Sequence, residues 1–406
     1  MSTEHDELER MLGRDLHRQV DGMTGLLGFD DVRGRARRIR RNRRIAAGAG
    51  VAAALAVIVP VGLTVGGTTQ SKDEIQPAPS PDVPAVVSRT TLTVNGLPRG
   101  EAPEIEYFTP DGVVLPGEGT QALPENYQAL VWSVGTGSWI ALGATREEVL
   151  YLSEDFEPQG SSAASGLGFA TTPERDFVAW AVPENGSQRL EVRSTTDPDE
   201  TTSWELPESP VAGPVGILGP DSVVYETLTN QGETRVGLAN PDGTTTELPY
   251  IRALAADPVN GLISVQTESR LNSGCFAVIE AATLAVAWET CDYRLGSFSP
   301  DGAFVMATAA DSDGLGPTVL RVLDARTGEL VAEFATAGRK QVALIRPAWE
   351  SVDTIVATAS ATASEGNVTT MVRMGVDGTL EEVADPVDGS AFGDVYYYTG
   401  EDRAGL

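Results

Sequence analysis

From about residue 86 onward, turn-forming residues flanked by strand-like runs recur along this 406-residue chain at a nearly constant interval. Hairpin turns between two strand-like stretches centre near Asp111, Asp155, Pro198, Asp242, Ala282, Thr327 and Asp377, with gaps of about 44, 43, 44, 40, 45 and 50 residues, inside or close to the spacing of four-stranded propeller blades. Short strands with no long 3.6-residue period define an all-β chain. Seven units predict a seven-bladed β-propeller over residues 86–406, with six or eight blades less favoured.

The turns carry the expected chemistry. Pro110-Asp111-Gly112 and Pro241-Asp242-Gly243 combine a proline-fixed φ with a residue free to take positive φ, and Asp377-Gly378 does likewise. Val322-Leu323-Asp324-Ala325-Arg326-Thr327-Gly328 joins two apolar strands, and Val278-Ile279-Glu280-Ala281-Ala282-Thr283 is a shortened copy of it. Between these hairpins lies a second recurring element, clearest as Phe298-Ser299-Pro300-Asp301-Gly302 followed by the strand Ala303 to Thr308. Weaker copies begin at Phe169, Ile217, Ala255 and Arg346.

The Phe-Ser-Pro-Asp-Gly turn and the Leu-Asp-Ala-x-Thr-Gly hairpin resemble bacterial β-propeller repeats of the WD-repeat-like, PQQ-like and YVTN-type group. The likeness spans about 320 residues, with one or two blades matching well, and the Gly-His and Trp-Asp dipeptides of WD repeats are absent. The whole layout resembles single-pass propeller proteins of GC-rich Gram-positive bacteria, and only two of the 29 basic residues are lysine.

A ring needs closure. The strand-like segment Ala391 to Thr399 is expected to pair with the first N-terminal unit, which offers Thr90 to Val94 and Glu104 to Phe108, so that both chain ends complete one blade. Tyr396, Tyr397 and Tyr398 are then expected to serve blade packing.

Charge divides the chain sharply. Residues 1–44 hold eight acidic residues and eleven arginines, residues 45–66 none of either, and residues 67–406 hold 50 acidic against 18 basic, net −32. The uncharged run of 22 residues would span about 33 Å as a helix, enough for a ~30 Å hydrocarbon core. It predicts one transmembrane helix over 45–66, read as an uncleaved anchor. Arg33, Arg35, Arg37, Arg38, Arg40, Arg41, Arg43 and Arg44 precede it, which orients the N-terminus to the cytoplasm and the large domain to the outside. In residues 1–44, Leu8, Met11, Leu12 and Leu16 form an amphipathic stripe, read as a short helical cytoplasmic stub able to dock a partner. Residues 67–85, with Pro77, Pro79, Pro81 and Pro84, read as an extended spacer.

The chemistry open to the exported part is narrow. His5 and His17 both precede the anchor, which excludes a Ser-His-Asp triad or a histidine-ligated metal beyond it. With Thr283 at the centre of the fifth hairpin, Val278 faces Trp288 and Cys275 faces Cys291, so a disulfide is expected. Closing that loop would contribute ~3 kcal/mol in the chain-entropy model. Asp311-Ser312-Asp313-Gly314 begins like a calcium loop, but Val322 stands where the closing glutamate belongs. Asp311 and Asp313 are therefore weak metal candidates; calcium is a low-ranking option and no other cofactor is expected. The acidic balance argues against a nucleic-acid partner.

These features favour a non-enzymatic, membrane-anchored extracytoplasmic propeller that binds a peptide, sugar or protein at its face and channel. One alternative is a carboxylate-dependent or calcium-assisted hydrolase of lactonase or glycosidase type, for which no catalytic residue can be named. The other is a transmembrane regulator acting through residues 1–44.

Overall fold

The structure is a computed structural model that describes residues 87–406 apart from Pro110, Pro198, 271–272, 311–316, 337–341, 364–365, Pro386, 389–396 and 399–406. Seven antiparallel sheets follow one another along the chain, confirming the all-β seven-bladed propeller. Blade 1 contains residues 107–121 and receives Tyr397–Tyr398 as its innermost strand. Blades 2 to 7 span residues 127–163, 169–205, 211–248, 252–290, 293–336 and 342–382. In blades 2 to 7 the first strand in sequence is innermost, and from blade 3 round to blade 1 the inner strands of neighbouring blades approach one another.

Alternation along the strands explains why the sheets stack radially. Ser187–Ser194 alternates half-buried and buried residues along its whole length, and successive side chains point to opposite faces of a sheet. Each face packs on a different neighbour, so every junction has its own core. Trp139 and Phe156 pack with Phe108 between blades 1 and 2, and Trp180 with Val131 between blades 2 and 3. Tyr225 lies on Leu190 between blades 3 and 4, and Ile263 on Val224 between blades 4 and 5. Leu295 meets Phe276 between blades 5 and 6, and Phe334 meets Leu344 between blades 6 and 7. Tyr107 meets Met371 between blades 7 and 1. Seven junctions with seven cores close the circle.

The recurring turns fall where the blade plan needs them, with one correction. Those at Asp155, Asp242, Ala282, Thr327 and Asp377 join third to fourth strands, and the Phe298–Gly302 type joins first to second strands. The hairpin at Asp111 instead joins the second and third strands of blade 1. Its third–fourth turn follows Leu115, whose carbonyl accepts from the Glu118 N–H. Pro-Asp-Gly chemistry marks a tight hairpin without marking its place in a blade.

An indole latch repeats between blades. Trp204 on the outer strand of blade 3 donates its Nε1–H to the Asn240 carbonyl in the turn of blade 4. Trp288 on the outer strand of blade 5 donates in the same way to Ala325 of blade 6. The turn glycine Gly328, at φ 74°, lies so close that a Cβ there would stand 2.7 Å from the Trp288 ring. Two requirements, positive φ and lack of bulk, thus coincide at one residue.

Closure follows the expected plan: Tyr107 pairs with Tyr398 and Phe108 with Tyr397. Ala391–Tyr396 and Thr399 lie outside the described residues. The expectation for Thr90 to Val94 fails, because Ser88–Leu92 adds in parallel to the outer strand of blade 6 instead of joining blade 1. Burial explains the choice: Leu92 and Val94 are 3% exposed in the core between blades 6 and 7. The chain then crosses the edge of blade 7. Ser88 Oγ donates to the Val376 carbonyl and Thr90 Oγ1 to that of Gly378. Gly100 N–H donates to Glu382, and the Arg373 guanidinium donates to the Glu101 and Ala102 carbonyls while pairing with Glu350.

Two outcomes follow from the strap and the turns. Leu92→Ala should lower unfolding stability by about 2–5 kcal/mol, whereas Arg89→Ala, whose side chain is 72% exposed at 4.0 Å from Glu333, should change it by less than about 0.5 kcal/mol; denaturant titration of both variants reads the contrast. Asp242 is held below the usual carboxylate range by hydrogen bonds from Thr244, its hydroxyl first and then its backbone, and Asp377 by the backbone and hydroxyl of Thr379. A depressed native pKa gives stability that is present above the unfolded value near ~4 and lost as pH falls through the native one. Combined Asp242→Asn and Asp377→Asn should therefore flatten the acid limb of a stability–pH curve.

Candidate functional site

Strand direction alternates across each blade, so the second–third hairpins and the links between blades emerge on one face of the ring. That face carries the disulfide. Cys275 and Cys291, separated by 16 residues, are joined, and the predicted register holds beside them: Phe276 faces Thr290 and Val278 faces Trp288. Cys291 lies in the link to blade 6, so the bridge fixes the chain just before the inner strand Tyr293–Phe298.

Two adjoining depressions open on this face beside the second–third hairpin of blade 4. The larger, about 510 Å³, has a wall of Leu248, Pro249, Tyr250 and Ile251, with Arg235 and Arg252 among its cationic residues. The smaller, about 290 Å³, includes Pro207, Glu208 and Asn230 and shares Glu233 and Arg235 with the first. Ile251 is 38% exposed. Burial, then the charge of Glu289, pushes the Tyr250 phenol above its ordinary pKa, so it remains a neutral donor and acceptor at physiological pH.

Arg252 opens the inner strand of blade 5 and ties the cleft to the ring. Its guanidinium lies 3.3 Å from Glu226 Oε2, and the Ala253 N–H donates to Glu226 Oε1 at 2.9 Å. Glu226 is a buried residue, so this carboxylate from blade 4 is held by a charge and a backbone donor of blade 5. Arg294 occupies the second position of the next inner strand, Tyr293–Phe298. It is half-buried, and burial followed by the repulsion of Arg252 lowers its pKa. Among the described residues Arg294 has no carboxylate partner, whereas Arg189, Arg321 and Arg373 each pair with a glutamate.

The sequence pointed elsewhere for special residues. Asp311 and Asp313 lie outside the described residues, as do the arginines from Arg33 to Arg44, the amphipathic stripe and the uncharged run. Among the described residues no three His, Cys, Asp or Glu side chains gather as a metal site, and no helix is long and apolar enough to cross a membrane. Arg252 and Arg294 escaped the sequence reading. Their one available signal is position at the head of an inner strand close behind a tyrosine, Tyr250 in the link two residues before Arg252 and Tyr293 as the strand residue just before Arg294.

No protein-family model matches the chain, and no curated protein matches it in sequence. Solved structures resemble it in fold. The Dos1 propeller is 12% identical with a TM-score of 0.45, over 72% of this chain and 82% of that one. An uncharacterized protein of Listeria monocytogenes is 10% identical with a TM-score of 0.45, over 69% and 91% of the two chains. TolB from Acinetobacter baumannii is 14% identical with a TM-score of 0.38, over 67% and 65%. The chain carries a β-propeller module.

Replacing Cys275 and Cys291 together by serine should lower stability by up to ~3 kcal/mol, the chain-entropy value for a loop of this size. Thermal unfolding with and without reductant measures it: reductant should shift the parent protein toward the double variant and leave the variant unmoved.

Proposed function

We propose that the protein is a membrane-anchored, extracytoplasmic binding module whose propeller takes a partner on the face that carries the blade links. The anchor is the 22-residue uncharged run at 45–66, and the eight arginines between Arg33 and Arg44 keep the N-terminus in the cytoplasm. The disulfide supports this placement, because such bonds persist in oxidising compartments. The acidic domain, net −32 over residues 67–406, repels nucleic acid and leaves protein, peptide or sugar as ligand.

The observation that carries the binding role is the cleft beside Arg252, an apolar wall bordered by charged groups at a blade junction. Ligand sites combine these two elements, apolar area for affinity and a few fixed polar groups for orientation.

Topology is tested on intact cells with a membrane-impermeant maleimide. Val134, 70% exposed on a hairpin of blade 2, is replaced by cysteine in one strain and Ser2 in another. Val134→Cys should label in intact cells and Ser2→Cys only after permeabilisation. The reverse pattern overturns the orientation, and labelling of neither before permeabilisation overturns export.

A further inference from the structure

We propose that the outer edge of blade 4 takes an extended peptide of a partner as a fifth strand, parallel to Thr245–Leu248. A basic side chain of that peptide stands beside Glu247, and an aliphatic one seats against the wall from Leu248 to Ile251. The inference rests on the binding role proposed above and names the chemistry of the ligand and its mode of attachment.

The precedent lies in the same chain. Ser88–Leu92 adds in parallel to the fourth strand of blade 6. Two features hold it there besides the backbone ladder. Arg89 stands opposite Glu333, which already pairs with Arg321 of the third strand at 2.7 Å, so charge alternates across three strands. Leu92 stands opposite Thr336, the last residue of the fourth strand, and is buried in the core shared with blade 7.

Blade 4 repeats the receiving side of this arrangement. Thr245–Leu248 ends its sheet, paired with Val236 to Ala239 on one side and with no strand on the other among the described residues. Thr246 and Glu247 on this edge are exposed. Arg235 of the third strand lies 3.7 Å from Glu247 of the fourth, the counterpart of Arg321 and Glu333; the Glu247 side chain is 68% exposed against 22% for Glu333. At the corner where Leu92 sinks in on blade 6, blade 4 has the larger depression. Glu247 and Leu248, the last two residues of the strand, line it together with Pro249, Tyr250 and Ile251.

These groups select the occupant. An open strand edge offers N–H and C=O groups to any extended chain, and alternate side chains then set specificity. In parallel register the residue opposite Glu247 shares that carboxylate's side of the sheet, where a cation is favoured. Residues one and three further on lie on the Leu248 side, where apolar area is available. The sequence chosen is a basic residue with an aliphatic one three positions later, the spacing of Arg89 and Leu92.

The test uses the full-length protein in detergent micelles and a fluorescent heptapeptide, Ser-Arg-Thr-Thr-Leu-Thr-Val, which copies residues 88–94. One counterpart carries glutamate for arginine, one is N-methylated at alternate amides, and one carries a diazirine analogue of leucine. In ~0.15 M salt, where distant charges are screened, anisotropy titration should show the arginine peptide binding about threefold or more tightly than the glutamate peptide. Glu247→Lys should abolish that preference. Glu154→Lys, the same charge change in an exposed turn of blade 2, should keep it, and equal melting temperatures show that the variants fold. N-methylation should weaken binding about tenfold or more. After illumination and trypsin digestion the diazirine peptide should be found on residues 236–252, the fragment between Arg235 and Arg252.

Equal affinity of the arginine and glutamate peptides, a preference that survives Glu247→Lys, a crosslink outside 236–252, or binding of no peptide overturns the edge site. Affinity that ignores N-methylation, with the crosslink still inside 236–252, overturns strand addition and leaves the cleft as the binding site. None of these outcomes touches the maleimide topology result, so the readings fail separately.

Discussion

The architecture depends on a two-residue antiparallel pairing between segments almost 300 positions apart. Tyr107 and Phe108 sit opposite Tyr398 and Tyr397, and the two N-terminal residues face different ways. Tyr107 enters the core shared with blade 7, and Phe108 enters the core shared with blade 2. The last gap in the ring is therefore bridged through both faces of one short strand. Without it, blades 7 and 2 would each expose an apolar sheet face, and no local contact could replace the loss. Loop-closure entropy opposes so long a connection, and six preceding junctions with their own cores hold the ends near each other.

The same radial plan explains why the candidate site lies at a junction. A single blade offers one strand edge and a hairpin, too little to shape a concavity. Where blade 4 meets blade 5, a carboxylate from one blade crosses to an arginine and an amide of the next, and the link Pro249–Ile251 roofs the space beside it. The ion pair is half-exposed on the arginine side, so its contribution to stability is modest after solvent screening. Its structural effect is to set where the Arg252 charge stands relative to Arg294.

Much of this was legible in the sequence. Periodic hairpin chemistry gave the blade number, because the turns at Asp242, Thr327 and Asp377 use residues whose backbone preferences are local. The register around Cys275 and Cys291 followed from hairpin geometry alone. The first hairpin was displaced by one strand because Asp111 and Gly112 announce a turn and nothing about its neighbours. Ser88–Leu92 went to blade 6 because its burial partners, Phe334 and Val342 among them, lie more than 200 residues away, beyond any local signal. The two arginines were hidden for the same reason. Arg252 and Arg294 are 42 positions apart, and the inner strands that carry them approach each other only once the blades are assembled.

The parallel strand Ser88–Leu92 has a mechanical meaning. Its five residues run alongside Ala332 to Thr336, with two side-chain hydroxyls hooked on blade 7 and Leu92 sunk beneath. A pull along the strand, transmitted through the residues before Ser88, would load these bonds together in shear and would not peel them one at a time. Force entering the domain is thereby spread over blades 6 and 7 before it reaches the short pairing in blade 1 that holds the circle shut.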